Sequence, residues 1–158
     1  MFNIGDMIAH PMHGAGVIDG IEERKINGQT RQYYILKMPT GGMVVMIPME
    51  NCEQIGVRPI LCEAEAESLV NSIPDIDAEM TPNWNRRYRE NLQCLKSGDL
   101  FEVARVIKGL MARDSEKGLS TSERKMLHSA KQILVSELSL SQKKTSEEVE
   151  TQLMAAFA

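Results

Sequence analysis

The segment IPDIDAEMTP, residues 73–82, separates two halves of the 158-residue sequence that have different hydrophobic patterns. It places two prolines and three acidic residues within ten positions, a composition typical of a connection. Residues before it form short apolar runs between turn signals, whereas residues after it follow a helical period. The sequence therefore predicts two domains, at 1–74 and 82–158, joined by a linker at 75–81.

The first half has the pattern of a small antiparallel β-domain. Asn27-Gly28 predicts a type I′ hairpin turn because both residues tolerate positive φ, and Pro39-Thr40-Gly41-Gly42 predicts a second tight connection. Four or five short strands in about 55 residues indicate a barrel of the SH3 or Tudor type. Residues 62–73 predict a short helix that leaves it. The predicted strands lie in the segments DMIAHP, GVIDGIEERK, RQYYILKM and MVVMIP.

The second half has the pattern of an all-α helical bundle with clear capping signals. Thr81 is a predicted N-cap, with Pro82 at the first helical position, where a missing N–H does no harm. Apolar residues at three- and four-residue spacing follow each start signal. The predicted fold class is therefore α+β multidomain, a small Tudor-like or SH3-like barrel followed by helices. The remaining predicted caps and stops are Gly98, Asp99, Gly118 and the capping boxes Ser120-x-x-Glu123 and Thr145-x-x-Glu148.

Charge is distributed unevenly along the chain. The net charge is −4, but residues 1–80 carry 5 basic and 12 acidic side chains, whereas residues 81–144 carry 13 and 7. The second half is thus basic enough to bind nucleic acid, although the overall charge gives no such signal. Three scattered cysteines, no apolar run of membrane-spanning length and no signal peptide at the N-terminus predict a cytoplasmic protein.

Catalytic and metal-binding motifs are scarce. The sequence has no GxSxG, HExxH or GxxxxGK[ST] motif. His10 and His13 could form a metal pair, but the sequence offers no third or fourth ligand, so a structural role is favoured. We expect neither an enzyme nor a bound cofactor.

The single tryptophan, Trp84, stands in the basic segment TPNWNRRYREN, residues 81–91. It shares a helical stripe with Tyr88, Leu92 and Leu95, which favours a place in the bundle core. Its basic neighbours favour the other interpretation, in which an exposed ring contacts a base or the minor groove while cations hold phosphates. The basic candidates are Arg86, Arg87, Arg89, Arg124 and Lys125.

The segment GGMVVMIPM, residues 41–49, predicts a strand whose two faces are both apolar. One set is Met43, Val45 and Ile47, and the other is Val44, Met46 and Pro48. Only one set can fill the core of so small a domain. The other is either covered by the helical half or left open for a partner, whose strand could pair with this edge.

Three motifs together resemble the CarD/CdnL family of bacterial transcription regulators over essentially the whole chain. The first, FNIGDMIAHPMHGAGVIDGIE, is less specific because the transcription-repair coupling factor shares that module. The other two, NWNRRYREN and LSTSERKMLHSAKQILVSEL, make the resemblance specific.

The resemblance implies a Tudor-like domain that binds the β subunit of RNA polymerase and a helical domain that contacts promoter DNA. It implies that Trp84 is a minor-groove wedge at the upstream edge of the transcription bubble, which stabilises the open complex. The basic partners map onto Arg86, Arg87, Arg89, Arg124 and Lys125. The polymerase contacts map onto Arg24, Met46 and Pro48.

Two alternatives stay open at the level of the sequence. One is a protein-interaction adaptor with a peptide-binding barrel and a purely structural helical domain. The other is a freestanding DNA-binding protein that needs no polymerase. Salt-dependent DNA binding separates the first from the proposed regulator, and tight promoter binding without polymerase would favour the second.

Overall fold

The computed structural model describes residues 1–39 and 42–158. Within these residues five strands and six helices occur, and most of the helices follow the strands. The strands are β1 (Met7–His10), β2 (Gly14–Ile26), β3 (Gln29–Lys37), β4 (Val44–Pro48) and β5 (Arg58–Pro59). The helices are α1 (Cys52–Ile55), α2 (Glu63–Ser72), α3 (Trp84–Lys96), α4 (Leu100–Lys117), α5 (Thr121–Gln142) and α6 (Ser146–Phe157), with a 3₁₀ turn at Ile73–Asp75.

The strands form one antiparallel sheet in the order β4-β3-β2-β1-β5. Asn27 and Gly28 join β2 to β3 with φ values of 52° and 77°, which are the positive angles that a type I′ turn requires. The predicted antiparallel β-half and its hairpin are therefore confirmed. The second connection, Pro39-Thr40-Gly41-Gly42, lies partly outside the described residues, and the Tudor-like assignment stays a prediction.

Two hydrophobic cores support the two halves. One face of the sheet buries a small cluster that includes Ile18, Leu36 and Ile47. A larger cluster lies among the helices and takes residues from α2 through α6. The sheet rests on α5, where the Ala15 backbone N–H donates to Ser136 Oγ at 2.9 Å. This contact joins the end of the sheet near Gly14 to the middle of the longest helix.

The start of α3 differs from the prediction. Asn83, and not Thr81, caps this helix, because its side-chain oxygen accepts the Arg86 backbone N–H at 3.0 Å. Pro82 therefore precedes the cap instead of occupying the first helical position. The Thr81 hydroxyl donates to Glu90 Oε2 at 2.9 Å, so it ties the preceding segment to the second turn.

The other predicted caps are mostly confirmed. Asp99 caps α4, and Thr145 with Glu148 forms a complete capping box on α6. The box predicted on α5 is half formed. Ser120 accepts the Glu123 backbone N–H at 3.2 Å, but the Glu123 carboxylate turns away to Arg87.

The predicted exit helix at 62–73 is present as α2, but it packs against the helices. Its buried face joins the helical core through Ala66, Leu69 and Val70. The following segment lies along α4, where Lys108 Nζ donates to the carbonyl oxygens of Ile73, Pro74 and Ile76 at 2.8–2.9 Å. The segment predicted as a linker at 75–81 is thus held to α4 at its start. The division of the chain into two domains stays a prediction.

The described residues lack the features of two kinds of site, a membrane span and a metal centre. None of the helices there is long and apolar enough to cross a bilayer. The rings of His10 and His13 lie 4.5 Å apart, and no group of three or more His, Cys, Asp or Glu side chains that could hold a metal ion occurs in residues 1–39 and 42–158.

Candidate nucleic-acid interface

Trp84 is the first residue of α3 and remains 41% exposed. Its ring stacks on Tyr88, with centroids 5.3 Å apart and planes 14° from parallel. Further along the same stripe Leu95 is buried in the helical core. The stripe therefore runs from the core to the surface, because the first turn of α3 lies at an exposed end of the bundle. The interpretation of Trp84 as a sealed core residue is wrong.

A hydrogen bond joins the Trp84 ring to the neighbouring helix. Its Nε1–H donates to Ser120 Oγ at 3.1 Å. Ser120 is the N-cap of α5, so the starts of α3 and α5 lie side by side at this end of the bundle. Helix N-termini carry partial positive charge and favour anions such as phosphate. The ring thus stands between two such ends.

Arg87 is not available to DNA, in contrast to the prediction. It is 1% exposed, and its Nε lies 2.9 Å from Glu123 Oε2 while Nη2 lies 3.3 Å from Oε1. Its Nη1 donates to the carbonyl oxygens of Thr81 and Pro82. The reason is the helical period, since positions 84, 87, 91 and 95 face the bundle together. Arg87 is therefore a structural residue that joins α3 to α5.

The Glu123 carboxylate is ionised in this pair. Burial raises the pKa of Glu123. The hydrogen bond from Arg87 and its charge together lower that pKa by more than burial raises it, with smaller contributions from the Ser120 hydroxyl and the charge of Arg113. The net pKa lies below the usual value of a glutamate. The buried pair therefore leaves no unpaired carboxylate beside Trp84 at neutral pH.

The other predicted basic residues lie on the exposed surfaces of α3 and α5, the two helices that meet at the ring. Arg86 is exposed and bridges Glu90 at 3.0 Å, one turn along α3. Arg89 is exposed on the same helix, and Arg124 and Lys125 are exposed in the first turn of α5. Those three form no ion pair with any residue that the structure describes. The structure thus brings a half-exposed ring and exposed cations to the starts of two adjacent helices.

Three further residues of this region were not predicted as part of the site. Tyr88 stacks on Trp84, Ser120 accepts its N–H, and the charge of Arg113 on α4 acts on Glu123. The Nε of Arg113 is buried without a hydrogen-bond partner among the described residues. The sequence identified Ser120 only as a cap, and no local pattern distinguishes Arg113 from an ordinary solvated helix residue.

The second candidate surface is the outer face of the sheet, opposite its buried core. We define this outer face by Val44, Met46 and Pro48 of β4 with Ile35 and Tyr33 of β3. The strand register pairs Met46 with Ile35, and Pro48 with Tyr33, so these side chains share one side of the sheet. Val44 is 53% exposed, and the other four are partly buried. Of the two alternatives for this apolar strand, the open one is found.

Arg24 lies on the same side of the sheet, in the exposed hairpin. It pairs with Arg31 across the hairpin and bridges Glu22 at 2.9 Å. Tyr33 connects the two groups, because it pairs with Glu22 on one side and with Pro48 on the other. The three predicted polymerase-binding residues therefore belong to one surface, with Arg24 at its margin.

The backbone of β4 is also open. No strand in the described part of the chain pairs with the outer side of β4. Met38 N–H bonds the Met43 carbonyl, and Met49 N–H bonds the Gln32 carbonyl. By alternation, the backbone groups of Val44, Met46 and Pro48 point away from β3. Since Pro48 has no N–H, this edge offers donors only at Val44 and Met46.

Comparisons with known proteins agree with this architecture. The family described as the CarD-like/TRCF RID domain matches residues 2–61, which contain all five strands. The family described as the CarD C-terminal domain matches residues 68–154, which contain α3 to α5 and most of α6. A Bacillus subtilis (strain 168) protein named "Putative transcription factor YdeB" is 37% identical over 138 residues, covering 87% of this chain and 90% of its own.

Proposed function

The chain belongs to the CarD family, and from this premise we propose that it regulates transcription initiation by binding RNA polymerase and stabilising the promoter open complex. The observation that supports this function best is the half-exposed Trp84 ring, held at the starts of α3 and α5, two helices that also carry exposed cations. A flat apolar ring next to positive charge suits a distorted minor groove or an unstacked base.

In the proposed DNA contact the ring and the cations bind different parts of the DNA. Arg86, Arg89, Arg124 and Lys125 contact phosphates, which fix position without reading sequence. Trp84 occupies the upstream edge of the melted region, where the duplex has already come apart. Because an intact duplex offers the ring less surface, binding favours the open state. A difference of about 1.4 kcal/mol shifts that equilibrium about tenfold.

The proposed polymerase contact uses the outer face and the free edge of β4. An extended segment of the polymerase β subunit pairs with the donors of Val44 and Met46, and its side chains pack on the apolar outer face. Arg24 and Arg31 at the margin complement acidic side chains of the partner. This anchoring raises the local concentration of the helical half near promoter DNA, so that weak DNA contacts suffice.

The proposed action is binding alone, so it requires no catalytic residue and no cofactor. It takes place where bacterial RNA polymerase works, in the cytoplasm. Met46 and Val44 make the proposed polymerase contact largely apolar. Polymerase capture should accordingly depend less on salt than DNA binding does.

The lifetime of promoter open complexes tests this function directly. We expect the wild-type protein to lengthen the lifetime and Trp84→Ala to lose about tenfold of that effect. Phe101→Ala is the matched control, because Phe101 is also an aromatic in the first turn of a helix and is 46% exposed. It should behave as wild type. Equal lifetimes with wild type and Trp84→Ala would refute the proposed role of the ring.

Polymerase capture separates this function from that of an adaptor. Met46→Asp introduces a charge into the outer face and should weaken capture at least about tenfold, the effect of burying one poorly paired charge. Met154→Asp adds the same charge at an exposed methionine of α6 and should leave capture unchanged. If Met46→Asp weakens capture while Trp84→Ala leaves open complexes unaffected, the adaptor is the correct interpretation.

A further inference from the structure

We propose that Ser120 and Tyr88 are positioning residues that hold the Trp84 indole in one orientation before DNA binds. The inference rests on the proposed function for its consequence in transcription, but the positioning is a property of the free protein. The Ser120 hydroxyl and the Tyr88 ring both contact Trp84 from within the protein.

The two residues restrain different motions of the indole. Stacking on Tyr88, at 5.3 Å and 14°, fixes the plane of the ring. Stacking alone still allows the ring to turn within that plane. The hydrogen bond from Nε1–H to Ser120 Oγ, at 3.1 Å, determines which edge faces α5. The indole donor is thereby used inside the protein, so the exposed part of the ring offers apolar surface to DNA.

The Ser120 hydroxyl is itself fixed by its other partners. It accepts the Glu123 backbone N–H at 3.2 Å and donates to Glu123 Oε1 at 3.3 Å. With the bond from Trp84, its one donor and two acceptor positions are all in use. Ser120 therefore cannot rotate to a solvent partner without losing a bond to α5.

The buried Arg87–Glu123 pair completes the support. Glu123 Oε2 accepts from Arg87 Nε at 2.9 Å, which keeps the carboxylate away from the capping-box position. Arg87 in turn donates to the carbonyl oxygens of Thr81 and Pro82, just before the helix on which Trp84 stands. The contacts thus run from Trp84 through Ser120, Glu123 and Arg87 back to the start of the Trp84 helix.

Holding the ring in advance should increase the strength of its contact with DNA. A free side chain loses rotational freedom when it binds, whereas a side chain that is already ordered loses little. Releasing the indole should therefore shorten the open-complex lifetime by about threefold to tenfold, the factor that corresponds to ordering one side chain.

Tryptophan fluorescence tests the positioning directly, because Trp84 is the only tryptophan in the chain. Ser120→Gly removes the acceptor and should lower the fluorescence anisotropy of the full-length protein and increase quenching by acrylamide. Thr145→Gly is the matched control. Thr145 also caps a helix by accepting an N–H, from Glu148 at 3.1 Å, and glycine replaces either cap at similar small cost. That control should keep the wild-type fluorescence.

Rescue and removal of the stack extend the test. Ser120→Thr keeps a hydroxyl at the cap and should restore both the fluorescence and the open-complex lifetime. Tyr88→Leu should loosen the ring, whereas Tyr88→Phe keeps the stacking surface and should not. If Ser120→Gly and Tyr88→Leu both leave anisotropy and quenching at wild-type values, the positioning role is refuted.

The failure of this inference and the failure of the proposed function give different results. If Ser120→Gly loosens the ring but neither it nor Trp84→Ala changes the open-complex lifetime, positioning stands and the proposed function falls. If Trp84→Ala shortens the lifetime while Ser120→Gly leaves fluorescence and lifetime unchanged, the function stands and positioning falls.

Discussion

Arg58 of β5 and Glu137 of α5 form a two-pronged ion pair where the sheet meets the helices. Arg58 Nη1 lies 2.7 Å from Glu137 Oε2, and Nη2 lies 2.9 Å from Oε1. The guanidinium also donates to the Gly98 carbonyl between α3 and α4, and Glu137 accepts the Leu61 N–H. One ion pair therefore joins the sheet, the α3–α4 turn and α5, so it can keep the sheet and Trp84 at a fixed separation.

Glu137→Ala should lower the free energy of unfolding by about 3 kcal/mol, the loss typical of removing one partner from a buried ion pair. The Glu137 side chain is buried, and its removal leaves the Arg58 charge and the Leu61 N–H without their partner. Urea denaturation measures the change. Glu116→Ala, at an exposed position of α4, should stay within about 0.5 kcal/mol of wild type. A loss below about 1 kcal/mol for Glu137→Ala would contradict this role.

Gly14→Ala should be among the most damaging small substitutions at the sheet–helix contact. Gly14 has a φ of +92°, and an added Cβ would lie 2.4 Å from Ser136 Oγ and 3.2 Å from the Ile133 Cα. We expect a loss of about 3 kcal/mol from backbone strain and overpacking together. Thermal and urea unfolding measure it.

Gly28→Ala separates the two causes of that loss. Gly28 also has positive φ, at +77°, but an added Cβ would meet nothing within 4 Å. The free energy of unfolding of Gly28→Ala should therefore fall only by the cost of backbone strain, about 1 kcal/mol. If Gly14→Ala and Gly28→Ala are equally stable, the contact with Ser136 does not constrain β2.

The Arg87–Glu123 pair should make stability depend on pH in the acid range. Arg87 holds the folded pKa of Glu123 below its usual value despite burial. The stabilisation is therefore complete above the unfolded pKa of about 4.3 and is lost as the pH falls through the lower folded pKa. Glu123→Gln should cost about 3 kcal/mol at pH 7, and its difference from wild type should shrink below about pH 4.3. A difference that is constant from pH 7 to pH 3 would contradict the assignment.

Short-range signals in the sequence predicted the local structure well. Asn27-Gly28 determines its own turn angles, and Thr145 with Glu148 satisfies the start of α6, so neither depends on distant residues. The alternating pattern of β4 likewise placed Ile47 and Val44 on opposite sides of the sheet, although it left open which side is buried. These features follow from neighbouring residues alone.

The candidate site was predicted less completely because its partners are distant in sequence. The helical period alone puts Arg87 on the inner face of α3, but its partner there, Glu123, lies 36 residues away and no local pattern joins the two. The same carboxylate then leaves its capping box half formed. The sequence drew attention to Trp84, but the choice between core and surface required the packing of α3 on α5.

The segment at 75–81, predicted as a linker, gives the last test. Lys108 Nζ donates to three carbonyl oxygens, those of Ile73, Pro74 and Ile76, and so holds the start of this segment on α4. Lys108→Met keeps the length of the side chain but leaves those oxygens unpaired, so we expect a loss of about 2 kcal/mol. Limited proteolysis should then cut within 73–80 faster than in wild type. Lys117→Met, at the exposed end of α4, should leave the cleavage rate unchanged. Unaltered cleavage in Lys108→Met would mean that this segment behaves as a free linker, because its attachment to α4 would then add nothing to its protection.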